Sequence, residues 1–71
     1  MTFDELYYKC KDKGTARAFA TKGGISVRML NFLLQGKRYP SLYVWQAFLK
    51  ARPDLKDEID TWFYENLLCS Y

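Results

Sequence analysis

The stretch that most limits the folds open to this 71-residue chain runs from Ala16 to Gln35, ARAFATKGGISVRMLNFLLQ. Its apolar and small residues, Phe19, Ala20, Ile25, Leu30 and Leu33, recur where two short helices that cross must touch. Between them lies Gly23-Gly24. Glycine adopts the positive φ that a tight corner between helices demands, so the break is expected at Gly24. Ser26 follows as the expected N-cap of the second helix, because its hydroxyl can accept from a free backbone N–H of the first turn.

The rest of the chain reads as helix on either side of that corner. Thr2 with Glu5 three residues later forms a capping box, and a first helix is predicted from there to about Lys13, burying Phe3, Leu6, Tyr7 and Cys10. Gly14 is expected to close it in a left-handed cap. Helix 2 is predicted over roughly 15–22 and helix 3 over 26–35, with Gly36 as its stop. Ser41 is the expected cap of helix 4, which carries Leu42, Val44, Trp45, Phe48 and Leu49. Pro53 forbids continuation, and Asp54 is expected to cap a fifth helix over about 54–69. Its apolar residues Leu55, Ile59, Trp62, Phe63, Leu67 and Leu68 repeat near the helical period. No strand-like alternation is visible. The expected fold is therefore all-α, five helices around one core in a single domain over 1–71. Five Phe, six Tyr and two Trp supply enough apolar area for such a core.

Charge divides the chain. Residues 9–52 hold ten Lys or Arg against the single acid Asp12, a balance of +9, whereas from Asp54 onward five acids face Lys56 alone, a balance of −4. A basic body points to a polyanionic partner, and the acidic end to a different surface. Catalysis finds no footing: the chain has no histidine, and neither Ser26 nor Cys10 has an evident activating base. Asp57, Glu58 and Asp60 sit in the first turns of helix 5, where they favour the helix dipole without any catalytic role. Two cysteines far apart, Cys10 and Cys69, make neither a metal site nor a disulfide framework. We expect reduced thiols, no metal, no cofactor, no enzymatic activity, no membrane span and a cytoplasmic protein.

With the elements placed, residues 3–55 resemble the phage repressor and Cro family of helix-turn-helix regulators. The resemblance rests on Ala16–Gln35, followed by Gly36-Lys37-Arg38 and Pro40. It implies a lambda-repressor-like bundle that presents helix 3 to the major groove of double-stranded DNA, in the cytoplasm of a bacterial host. Carried over by position, Val27, Arg28, Asn31 and Phe32 would read bases. Thr15, Arg17, Lys22, Ser26, Lys37 and Arg38 would hold phosphates.

Two departures from that family motivate a second reading. Helix 3 carries Val27 and Phe32 where the family usually places polar side chains, and Ala16 stands where it often has Gln. An apolar face beside Arg28 equally suits a modulator or antirepressor that binds another regulator, such as a phage repressor protein. On helix 5, Trp62, Phe63, Leu67 and Tyr71 are a candidate dimer or partner surface, with completion of the core as the alternative.

Overall fold

The computed structural model describes residues 1–67 in full and the backbone of Leu68. The described chain is all-helical: α1 (Phe3–Lys11), α2 (Ala16–Gly23), α3 (Val27–Leu34), α4 (Leu42–Ala51) and α5 (Lys56–Phe63). A 3₁₀ turn, Pro53–Leu55, leads into α5, and a π turn, Tyr64–Leu68, follows it. The part of the predicted fifth helix beyond residue 68, together with Cys69 and Tyr71, lies outside the described residues.

One core joins all five helices. Leu6, Tyr7 and Cys10 come from α1, Phe19 and Ala20 from α2, and Ile25 from the corner. Leu30 and Leu33 come from α3, Val44, Ala47, Phe48 and Ala51 from α4, and Ile59 and Phe63 from α5. At its centre the aromatic rings meet edge to face. Phe48 lies 4.9 Å from Phe19 and 5.6 Å from Phe63, and Phe19 lies 5.4 Å from Tyr7, the offset geometry that ring quadrupoles favour. No buried side-chain polar atom lacks a partner among the described residues.

The caps explain the boundaries. Thr2 and Glu5 exchange hydrogen bonds in the expected capping box. Thr15 Oγ1 accepts from Ala18 N at 3.1 Å, and Ser26 Oγ accepts from Met29 N at 3.0 Å. Both helices of the central pair end in the same backbone device. After α2, Ile25 N donates to Ala20 O and Gly24 N to Thr21 O, with Gly24 at φ 77°. After α3, Lys37 N donates to Phe32 O and Gly36 N to Leu33 O, with Gly36 at φ 76°. These are Schellman motifs, which satisfy carbonyls that the helix leaves free. The first is sealed by burial of both Ile25 and Ala20. Gly23 serves a different purpose: a Cβ there would lie 2.8 Å from the Ala47 carbonyl oxygen, so its bare α-carbon lets α2 lie close on α4.

Three caps differ from expectation. α1 ends two residues before Lys13, and the positive φ falls on Asp12 (53°), not on Gly14. Gly14 is held instead from both ends, its N–H on Lys11 O and its carbonyl under Lys11 Nζ. Ser41 occupies the N-cap position of α4 without a side-chain bond. Asp54 does not cap α5, because both its carboxylate oxygens are taken by the Arg52 guanidinium, at 3.0 and 2.8 Å. Arg52 also donates to the Cys10 carbonyl at 2.6 Å, joining the end of α4 to α1.

Candidate nucleic-acid interface on helix α3

The α2–α3 corner fixes which side of α3 turns outward. Leu30 and Leu33 enter the core and Arg28 and Asn31 are exposed; Met29 is half-buried against the core, and Phe32 is half-buried. Phe32 organises what surrounds it. Arg28, one turn earlier, places its guanidinium carbon 5.6 Å from the ring centroid. Lys37 places its ammonium 5.9 Å from the same centroid. The Lys37 position follows from the backbone, since its N–H is bonded to the Phe32 carbonyl in the Schellman motif, at 2.9 Å. Two cations therefore share one aromatic ring, which favours them through its quadrupole and limits their wandering.

Ser26, Arg28, Met29, Phe32 and Arg38 line one concavity. The structure thus brings together four residues expected from sequence, Ser26, Arg28, Phe32 and Arg38, with Lys37 at their edge. Met29, beside the presenting face, joins them. Its place follows from i, i+3 spacing to Phe32. The Ser26 hydroxyl accepts from Met29 N, and its proton remains available to donate outward.

The other predicted contacts lie elsewhere. Thr15 and Lys22 line a second cleft with Lys11, Asp12, Lys13 and Arg52, between the α1–α2 loop and the end of α4. Arg17 is exposed on α2. Val27 is half-buried in the first turn of α3 and packs against the core with part of its side chain still at the surface. Among the described residues, Arg17, Lys22, Arg28, Lys37 and Arg38 form no ion pair; the pairs present are Lys9–Glu58, Arg52–Asp54 and Lys56–Asp60.

Of the two readings of helix 5, partner surface or completion of the core, Phe63 takes the second. Phe63 is fully buried in the core and presents nothing. Trp62 packs on Phe3 at 5.6 Å, and its Nε1 donates to the Met1 carbonyl at 2.6 Å, closing the chain start over α5. Leu67 packs against the core. Tyr71 is outside the described residues. What sequence reading missed is an outward tyrosine: Tyr43 Oη donates to the Gly24 carbonyl at 3.0 Å, bracing the α2–α3 corner from the first turn of α4.

Among the described residues no cluster of three or more potential metal ligands forms, and no helix is long and apolar enough to cross a membrane. No protein family, curated protein or solved structure matches the chain.

Proposed function

We propose that the chain is a small transcriptional regulator of the helix-turn-helix type that binds duplex DNA with α3. The observation that carries this reading is the Arg28–Phe32–Lys37 cluster, beside Arg38 and Ser26, on a face with no carboxylate. Between Asp12 and Asp54 the sequence contains no acid at all. A face of that kind repels nothing on a polyphosphate and attracts it from a distance. Arg28 carries the fork that fits a guanine edge, and Asn31 the amide that fits adenine. Ser26, Lys37 and Arg38 would fix the phosphates that set the register. Phe32 and Met29 supply apolar contact, suited to thymine methyls.

A salt titration tests the proposal. Anisotropy of a labelled random duplex should report binding that weakens steeply between about 50 and 200 mM salt, as release of several counterions requires. No binding at the low-salt end would refute it.

The half-buried Phe32 and Met29 support a second reading, in which the same face covers part of another regulator, such as a phage repressor. In that case Phe32→Asp would abolish co-elution with the partner in size-exclusion chromatography while low-salt DNA binding is absent from the start.

A further inference from the structure

Arg28 carries its fork beside an apolar surface. Its guanidinium carbon lies 5.6 Å from the centroid of the Phe32 ring. Met29 and Phe32 line the adjoining concavity, together with Ser26, Arg28 and Arg38. Both are half-buried, so each keeps part of an apolar side chain at the surface. Neither is loose. Ser26 Oγ accepts from Met29 N at 3.0 Å at the start of α3, and the Phe32 carbonyl accepts from Lys37 N at 2.9 Å at its end. An apolar slot of set position therefore adjoins a guanidinium.

The chemistry of base edges decides what suits that slot. In the major groove an arginine fork donates to O6 and N7 of guanine. The pyrimidine 5′ to that guanine brings its C5 position next to the same fork. Thymine carries a methyl there and cytosine a hydrogen. The Phe32 ring has no hydrogen-bonding group, and the Met29 thioether is only a weak acceptor. They do not distinguish the thymine O4 from the cytosine amino group, and respond instead to whether a methyl fills the slot. Thymine and 5-methylcytosine share that methyl; uracil and cytosine lack it. No carboxylate lines the concavity, so unmodified cytosine finds no charged acceptor there for its amino group.

We propose that Arg28, Met29 and Phe32 together read a two-base step, a 5-methylpyrimidine followed by guanine. Methylated cytosine then substitutes for thymine, and binding responds to the covalent state of a cytosine that precedes guanine. The inference rests on DNA binding by α3. Burying one methyl in the slot corresponds to a gain in affinity of about three- to fourfold. Arg38, in the same lining, has a different signature: a donor aimed at O4 ranks thymine with uracil, above both cytosines.

The test begins with the full chain selecting a preferred duplex from a random pool at about 50 mM salt. The guanine read by Arg28 is the one whose replacement weakens the wild type but not Arg28→Ala. The base selected 5′ to it should be thymine. Versions of that duplex are then made with thymine, uracil, cytosine or 5-methylcytosine at this place, each paired with its complement. Anisotropy titrations should favour thymine over uracil, and 5-methylcytosine over cytosine, by about three- to fourfold in each pair. Both preferences should vanish in Phe32→Ala and return in part in Phe32→Leu, which restores apolar volume. They should persist in Lys37→Ala, which weakens every version alike. Equal affinities within each pair, a purine selected 5′ to the guanine, or preferences that survive in Phe32→Ala would overturn the inference and leave DNA binding standing. So would a ranking of thymine and uracil above both cytosines, or the lack of any guanine sensitive to Arg28. No enrichment from the pool would refute DNA binding itself, and this inference with it.

Discussion

Tyr43 and Gly24 are nineteen residues apart, yet the tyrosine hydroxyl donates to the glycine carbonyl at 3.0 Å. The bond ties the first turn of α4 to the residue whose left-handed backbone sets the course from α2 into α3. Replacing Tyr43 by Phe keeps the ring and removes only the donor. We expect Tyr43→Phe to lower the unfolding free energy by about 0.5–1.5 kcal/mol. Hydrogen exchange at the amides of Gly24 and Ile25 should accelerate more than at Leu6 or Ile59. Unchanged exchange at the corner would show that the bond does not brace it.

Adjacent glycines at the corner should fail for different reasons when substituted. A Cβ at Gly23 would press on the Ala47 carbonyl oxygen at 2.8 Å, a backbone atom that cannot swing aside. Gly23→Ala should therefore destabilise by about 1–3 kcal/mol despite better helix propensity. Ala47→Gly should not rescue it, since the obstacle is the carbonyl and not the methyl. At Gly24 a Cβ would meet nothing within 4 Å, but φ is 77°. Gly24→Ala should cost about 1–2 kcal/mol through the left-handed backbone alone, and Gly24→Asn less, because Asn tolerates that conformation. Urea denaturation of the variants, with Gly23→Ala/Ala47→Gly included, distinguishes the two mechanisms.

Local chemistry made much of this legible beforehand. Thr2 and Ser26 cap as expected because each cap needs only its own hydroxyl and a backbone N–H three residues on; Thr15, expected inside helix 2 as a phosphate contact, caps α2 in the same way. Gly24 and Gly36 are readable because the left-handed C-cap strongly favours glycine. The core stripes of α1 and α3 follow from helical spacing. The errors arose where a distant group competes for the same side chain. Asp54 suits an N-cap, but Arg52 offers its carboxylate two charge-assisted bonds, and the cap is left unmade. Spacing alone left Trp62 and Phe63 open between a partner surface and the core; Trp62 is bonded to the chain start, and Phe63 packs on Phe48 and Trp45. The Phe32 cluster was half legible. Arg28 at i−4 is read directly from spacing, whereas Lys37 arrives over the ring through a backbone motif.

Protonation equilibria set the pH limits of the fold from both ends. The Lys56 ammonium at 2.5 Å, and then the Trp45 indole N–H, hold the Asp60 carboxyl below the usual carboxylate range. Thr2 does the same for Glu5, and Arg52 for Asp54. A depressed folded-state pKa contributes stability that is present above the unfolded value, near about 4, and is lost as pH falls through the folded value. Urea midpoints should thus fall below about pH 4. Asp60→Asn, which keeps an acceptor for Trp45, should flatten part of that decline. At the alkaline end, burial pushes the Cys10 thiol up to about 11. Its raised value contributes stability that is complete below the ordinary thiol range and is lost as pH rises toward 11. In the folded protein at pH 8, Cys10 should alkylate far more slowly than in urea, as mass spectrometry of the peptide containing it would show. Comparable rates in the two conditions would contradict the burial of this thiol.

Phe32 offers the sharpest separation between placing charge and supplying it. Its ring carries no charge, yet it lies 5.6 Å from the Arg28 guanidinium carbon and 5.9 Å from the Lys37 ammonium. If α3 meets DNA as proposed, Phe32→Ala removes the support and leaves both cations in place. Affinity should then fall by about 1 kcal/mol, the order of two exposed cation–π contacts, while the slope of log K against log salt stays nearly constant. Lys37→Ala should instead lower that slope by about one and weaken all duplexes alike. Arg28→Ala should cost about 1–3 kcal/mol on a preferred site and flatten preference at one base pair. Anisotropy titrations of the three variants at several salt concentrations would read all of these quantities. A slope that drops in Phe32→Ala as much as in Lys37→Ala would mean that the ring does not merely position the cations but that its loss removes one of them from the interface.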